Sequence, residues 1–282
     1  MSNTLAIGLM KQRRRAAAAK RPIGGYVGAG MLLAIVLAGT AAVLWMTPNQ
    51  ITPAVLAPPS GEHLFGTDGS GRDILARTLA AALSDLPLAL LSTLLAAVAG
   101  TVLGLLATFS RRSDGIMRVV DGFQAFPTLI LILVIVQVTG GGIPILALTL
   151  SLLNMPRFIR IVRAEALQLL ASRYVFFARV IGARKAYILA RHVLPNISGQ
   201  ILAQASISTA VSLSAIGAMS FLGLGIAPPT PSWGNMIQLG TSGLTIGFWW
   251  PVLFPCIGLV WSIVAANLIA DSVDAHYAKE VR

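Results

Sequence analysis

The sequence predicts an all-α membrane protein with six transmembrane helices and both termini in the cytoplasm. Only 11% of the 282 residues are charged, while 56% are hydrophobic, and that charged share is about half of what a soluble protein carries. Apolar runs close to the roughly 20 residues that cross a bilayer recur along the chain. The two termini and every second segment between the runs contain 19 of the 21 lysines and arginines. The remaining segments contain only Arg72 and Arg77. The positive-inside rule places the termini and the segments rich in lysine and arginine in the cytoplasm.

The apolar runs predict spans at about 26–46, 86–109, 119–138, 143–158, 201–224 and 248–270. The fourth span is the weakest, because it is short and bracketed by Pro144 and Pro156. The first is long enough to be a membrane anchor rather than a cleaved signal. The expected parts are a basic cytoplasmic tail (1–25), the first transmembrane helix (26–46), an extracytoplasmic segment (47–85), a five-helix core with a cytoplasmic loop at about 157–196 (86–270), and a cytoplasmic tail (271–282).

No pattern typical of catalysis occurs in the sequence, which contains no phosphate-binding loop, zinc-protease motif or serine nucleophile elbow. The three histidines lie on different segments, and Cys256 lies in the last span, so we expect no metal site and no disulfide. Asp85 and Asp121 are placed at span ends, with Asp121 paired to Arg118 on one helix face. The chain is therefore predicted to be no enzyme, and to be a passive conduit driven by a partner.

A basic segment, SRYVFFARVIGARKAYILARHVLPN (172–196), separates the fourth and fifth spans. Gly182 divides it, and the spacing after Gly182 predicts a short amphipathic helix that Pro195 ends. The predicted basic face holds Arg184 and Arg191, with Lys185 and His192 beside it and Ala186, Leu189 and Val193 opposite. The alternative is a loop whose cations only set the topology and contact lipid phosphates.

This segment resembles the EAA loop of bacterial ABC importer permeases, because Gly182, Leu194 and Pro195 fall on its spacing. Four further stretches occur in the family's order: HLFGTDGSGRDILART, RVVDGFQAFP, MSFLGLGIAPPTPSWGNMI and ANLIADSVD. Together they resemble the C-type permease subunit of the dipeptide, oligopeptide and nickel importers. The stretch between the first two spans is what separates this subunit from its B-type partner.

The resemblance implies a type I ABC importer permease in the bacterial cytoplasmic membrane. Its expected partners are a B-type permease subunit, ABC ATPase subunits that bind ATP and magnesium, an extracytoplasmic solute-binding protein and membrane lipid, with no nucleic acid. Short peptides are the expected substrate, and nickel or a metal chelate is the alternative. Hypotheses from other classes are a passive solute channel and a structural membrane scaffold.

The EAA loop of this family is a coupling helix that docks on the ATPase. Carried over residue by residue, the resemblance assigns coupling to Phe176, Phe177, Ala178, Gly182, Arg184, Arg191, Leu194 and Pro195. Phe176 stands where the family has Glu, and Phe177 where it has the first Ala. A charged contact is thus replaced by an apolar or stacking one, or is moved elsewhere in the chain.

Two loops outside the membrane carry recognisable turn chemistry. In GTDGSGRD, Asp68 is expected to bond nearby amides and Asp73 to favour the start of a helix. A calcium loop is the weaker alternative, because the required acidic pattern is missing. The APPTPSWG stretch predicts a rigid loop with Trp233 at the membrane interface, either as an aromatic anchor or as part of a surface for the solute-binding protein.

The fifth predicted span carries a polar stripe, repeating every four residues: Gln200, Gln204, Ser208 and Ser212. Glutamine is costly in lipid, so this stripe faces protein or water. It forms either hydrogen bonds between helices or the wall of a pathway for a polar solute, and the resemblance favours the pathway. On the second span, Ala96, Gly100 and Gly104 predict close helix packing within the chain.

Overall fold

The computed structural model describes residues 23–108, 113–172, 175, 177, 180 and 182–280, and across these residues the regular structure is helical. The helices, in chain order, are α1 (Ile23–Trp45), α2 (Ile74–Leu106), α3 (Ser113–Ala125), α4 (Thr128–Thr139), α5 (Ile143–Leu170), α6 (Lys185–Ile188), a π-helical turn (Leu189–Val193), α7 (Leu194–Phe221), α8 (Trp233–Leu244) and α9 (Trp250–Glu280). The all-α prediction is confirmed for this part of the chain.

Five helical stretches in the described ranges are long and apolar enough to cross a membrane: Ile23–Trp45, Ile74–Leu106, Ile143–Leu170, Lys185–Phe221 and Trp250–Ala275. The span predicted at 119–138 is instead divided between α3 and α4, with Pro127 as the N-cap residue of α4. Proline cannot donate a backbone hydrogen bond, and it disfavours helical geometry in the residue before it. The helix is therefore interrupted at Pro127.

Three helices extend beyond the predicted spans. Helix α2 begins at Ile74, before the span predicted from 86, because Asp73 caps it by accepting a bond of 2.9 Å from the Ala76 amide, as the sequence predicted. Helix α5 continues to Leu170, so 157–170, predicted as the start of the loop, is helical. The fourth span was expected to be weak, yet Pro144 lies in the first turn, where its missing N–H costs nothing. The expected tail at 271–282 is helical as far as Glu280.

The helices pack through glycines that allow backbones to approach closely. A Cβ atom on Gly100 would lie 2.5 Å from the Phe158 Cβ, which confirms the expected close packing of α2 on a helix of the same chain, here α5. Helix α1 packs in the same way on its two neighbours, because a Cβ on Gly39 would meet the Leu79 carbonyl oxygen and one on Gly28 that of Ala265. Distances this short are impossible for a residue larger than glycine without movement of the helices.

The loop between α1 and α2 is ordered by its own polar groups. The Asp68 carboxylate accepts hydrogen bonds from the Ser70 and Arg72 amides at 2.8 and 2.9 Å, as the sequence predicted. Arg77, which is fully buried, donates to the Asn49 side chain at 2.7 Å, and its Nε lies 3.8 Å from the other Asp68 oxygen. Protein donors therefore face both oxygens of Asp68, which leaves the calcium alternative without support from this turn.

Candidate functional site

The segment that follows α5 is held against the protein by an apolar cluster. Val175, Ile188, Leu189 and Val193 are buried together with residues of α5 and with Ile197 at the start of α7. Burial of several aliphatic side chains fixes the segment, since each contributes about 1.5–3 kcal/mol relative to exposure. A force applied to this segment is therefore passed directly to α5 and α7.

The opposite side of the same segment is exposed and combines apolar with basic groups. The exposed fractions of Phe177, Val180 and Tyr187 are 65%, 66% and 56%. Arg184, Lys185 and Arg191 are exposed as well. We call these residues the docking surface: Phe177, Val180, Arg184, Lys185, Tyr187 and Arg191. Two residues assigned to coupling from the sequence, Phe176 and Ala178, lie outside the described residues.

Gly182 and Pro195 take different roles in the backbone. Gly182 has a φ of +85° and stands in open space, so glycine is needed there for its conformation and not for lack of room. Pro195 was expected to end a helix but lies in the first turn of α7, and the helical stretch runs unbroken from Lys185 to Phe221. The carbonyl that its ring would clash with belongs to Arg191, in the π-helical turn. The wider turn lets the helix continue.

The side chains of the docking segment match the predicted amphipathic pattern in part. Leu189 and Val193 are buried, whereas Ala186, predicted on the same face, is exposed. The departure arises because α6 is only one turn long and is followed by the π-helical turn, which changes the angular spacing on which the prediction relied. Leu194 and Pro195 are exposed at the beginning of α7.

The polar stripe on α7 does not form one open wall. Ser208 and Ser212 are fully buried. Ser212 accepts hydrogen bonds from Asn154 of α5 at 3.0 Å and from Ser92 of α2 at 3.3 Å. This end of the stripe serves contacts between helices. Gln200 and Gln204 are only half-buried, so the exposed part of the stripe is the end nearer the docking segment.

Three acidic or aromatic residues lie where the sequence did not place them. Asp85 is fully buried in the interior of α2, where its carboxyl group accepts from the Trp233 amide at 3.0 Å and from the Ser232 hydroxyl at 3.3 Å. Trp233 was expected at the membrane interface but is fully buried, and its indole N–H donates to the Thr78 carbonyl at 2.8 Å. The Asp85 carboxyl thus caps α8 from another helix.

The third misplaced residue, Asp121, pairs with Arg160 of α5 at 2.5 Å and not with Arg118 of its own helix. The sequence placed Arg157 at the start of the loop after the fourth span, whereas the structure places it within helix α5, which continues to Leu170. The sequence does contain a signal for the helical position of Arg157. Apolar residues recur at helical spacing over 143–156, and the same spacing continues over 158–169, beyond Pro156.

Comparison with known proteins identifies the family. The family model for the binding-protein-dependent transport system inner membrane component matches residues 96–282. A Brucella suis protein named as a peptide transport system permease is 38% identical over 88% of this chain and 84% of its own length. The di/tripeptide transport system permease protein of Pseudomonas aeruginosa is 33% identical over 81% of this chain and 79% of its own. This chain belongs to the family of binding-protein-dependent transport system inner membrane components.

Proposed function

We propose that this chain is the membrane-spanning permease subunit of an ATP-driven importer of short peptides. The names of the relatives support a peptide as the substrate. The single structural observation that carries the mechanism is the docking surface, since exposed aromatic and basic groups lie on a segment fixed to two spanning helices. An exposed apolar patch rimmed by polar groups is typical of a surface that another protein covers.

The proposed topology has six crossings with both termini in the cytoplasm. Helix α4 alone has 12 residues and is about 18 Å long, which is too short for a hydrocarbon core of about 30 Å. Together, α3 and α4 supply the missing length and form the sixth crossing. The distribution of lysine and arginine then places the docking surface on the cytoplasmic side.

The proposed partners divide the work. A B-type permease forms the other half of the pathway, a solute-binding protein delivers the peptide from outside, and ATPase subunits bind ATP and magnesium and hydrolyse ATP. When the ATPase subunits close, they move the docking surface with them. Because its segment is packed on α5 and continuous with α7, both helices move, and the pathway changes its access from one side to the other.

The experiment tests the docking surface by truncating its two exposed rings. Phe177→Ala and Tyr187→Ala remove rings that are 65% and 56% exposed, and the thermal unfolding midpoint of each variant shows whether contacts within this chain, such as that of Tyr187 with His192, are lost as well. Truncation of an aromatic residue central to an interface costs on the order of 2 kcal/mol or more. We expect the purified complex to lose bound ATPase or peptide-stimulated ATP hydrolysis. Lys185→Ala should change little, because a charge at the rim affects mainly the rate of association.

The matched control is Leu37→Ala, which truncates an apolar side chain of α1 that is 60% exposed and does not belong to the docking surface. A second pair of variants tests the turn. Gly182→Val forces a β-branched residue to a φ of +85° and should uncouple ATP hydrolysis from transport, whereas Gly182→Asn should be milder. Normal ATPase retention and coupling in both Phe177→Ala and Gly182→Val would refute the assignment.

A further inference from the structure

Arg157 is a charged residue inside a membrane-spanning helix. It lies fourteen residues after Ile143, the first residue of α5, which is about 21 Å along the helix axis. With Ile143 placed at the outer face of the hydrocarbon core, a core of about 30 Å encloses the Cα atom of Arg157, about two thirds of the way across. Charged residues at such depths are rare, face protein or a water-filled cavity, and mark the paths of substrates and ions.

The contacts of Arg157 leave its charge unneutralised. One guanidinium nitrogen donates to the Asn154 side-chain oxygen at 3.3 Å, which is a long bond to a neutral acceptor. Arg160, one turn further along, pairs with Asp121, but Arg157 forms no ion pair with any carboxylate in the described ranges. Asn154 is itself fixed by its bond to Ser212 of α7. The guanidinium is thus oriented by a neighbour and retains free donors.

The packing of α5 on α7 places Arg157 beside the exposed end of the polar stripe. Asn154 contacts Ser212, and Val162 is buried in one cluster with Ile197, so the two helices run antiparallel. Ala205 packs against the cluster that contains Phe158, which agrees with this register. In that register Arg157 lies at the height of Ser208 and Gln204. Gln204 is half-buried and donates to Ser208 at 3.1 Å.

One turn of α7 nearer the docking segment, the side-chain oxygen of Gln200 is buried without a hydrogen-bond partner in the described structure. Because this oxygen has almost no accessible surface, a ligand cannot reach it. The groups that stay partly exposed at this height are the guanidinium of Arg157, with its free donors, and the carboxamide of Gln204. A ligand that contacts both should carry an anionic group with a polar group beside it.

We infer that Arg157 binds the C-terminal carboxylate of the transported peptide, while Gln204 contacts the peptide backbone. This inference rests on the proposed function. A guanidinium recognises a carboxylate with two parallel N–H···O bonds, which a lysine cannot reproduce. Arg157 is thereby a substrate-binding residue of the inner half of the pathway.

A different role for Arg157 would be to extend its charged end to the cytoplasmic interface while its methylene groups stay in the membrane. Lysine extends in this way as well as arginine does, and neither residue would then distinguish between peptides. The two roles therefore separate when the carboxylate of the peptide is varied, and not only when the arginine is changed.

The test uses the complete importer, reconstituted in vesicles with its solute-binding protein, and compares uptake of trialanine with uptake of trialanine amide. For each peptide, the uptake rate of a variant is divided by the uptake rate of wild type. Any preference of the binding protein for one peptide then cancels. We expect Arg157→Gln to lower uptake of trialanine about tenfold, the loss of a charge-assisted bond, and uptake of the amide less than about twofold. Arg157→Lys should recover part of the trialanine uptake. Arg160→Gln, the matched control, should affect both peptides equally.

Equal effects of Arg157→Gln on both peptides, or no effect on either, would overturn the inference and leave the proposed function standing. A wild-type complex that imports neither peptide would overturn both. If uptake of the amide by wild type is too slow to measure, equilibrium binding of labelled trialanine to the purified complex without binding protein gives the comparison. There Arg157→Gln should weaken binding about tenfold, and unchanged binding at normal complex yield would contradict the assignment.

Discussion

Removal of the Asp85 carboxyl group should release the first turn of α8. The group is fully buried and accepts two hydrogen bonds, one from the Trp233 amide at 3.0 Å and one from the Ser232 hydroxyl at 3.3 Å. The bond from the Trp233 amide contributes about 1.5–3 kcal/mol and the second bond about 1 kcal/mol. The penalty for the unpaired amide is offset, because the other oxygen of Asp85 is buried without a partner and is removed as well. Asp85→Ala should therefore destabilise the docking of α8 by about 3 kcal/mol.

Asp85→Asn keeps the size and shape of the side chain but makes it a weaker hydrogen-bond acceptor. The amide oxygen can still accept from Trp233, so the expected cost is about 1 kcal/mol. The assay is amide hydrogen exchange at the N-terminal turn of α8 in the purified complex. A loss of about 3 kcal/mol corresponds to roughly a hundredfold faster exchange if the turn opens locally. The control Asp121→Ala removes an exposed carboxylate and should leave this turn unchanged.

Exchange in Asp85→Ala as slow as in wild type would contradict the proposed cap, because loss of the acceptor leaves the Trp233 amide without its partner. Faster exchange throughout the chain, at an equal rate in every helix, would also contradict it. That result would mean that Asp85 supports global stability and that α8 does not depend on this contact in particular.

Two further predictions concern packing and topology. Gly100→Ala places a Cβ 2.5 Å from that of Phe158 and should lower the thermal unfolding midpoint, whereas Gly30→Ala, with no atom within 4 Å, should leave it unchanged. Single cysteines at Ala171 and Thr230, in a chain lacking Cys256, should differ in their labelling by an impermeant thiol reagent added to intact cells. The proposed topology predicts labelling at 230 only, and labelling at 171 only would reverse it.

Local chemistry with one dominant cause was predictable from the sequence. Asp73 caps the start of α2, because the first amides of a helix have no acceptor within that helix and the carboxylate supplies one. Asp68 was assigned to its turn for the same kind of reason. The positive φ of Gly182 was also predictable, because the sequence required a sharp turn between two stretches of regular structure. In each case the partner groups lie within a few residues, so the pattern contains all the information.

Burial could not be predicted in the same way, because lipid and protein interior are both apolar. Hydropathy cannot distinguish a Trp233 at a membrane interface from the observed Trp233, which is the first residue of α8 and is fully buried in the protein. The stripe from Gln200 to Ser212 posed the same problem. One end bonds to other helices and the other end is half-exposed. Which end does which depends on the positions of α2 and α5, and no spacing within α7 encodes them.

The length of the helical stretch from Lys185 to Phe221 links the docking surface to the other end of the molecule. Its 37 residues span about 55 Å. At one end, Leu189 and Val193 fix it to α5. At the other, Gly217 contacts Gly234 so closely that a Cβ on Gly234 would lie 2.8 Å from the Gly217 carbonyl carbon. A tilt caused at the docking surface should therefore displace α8, against the resistance of its bond to Asp85. We expect this bond to set the cost of moving α8 during each transport cycle.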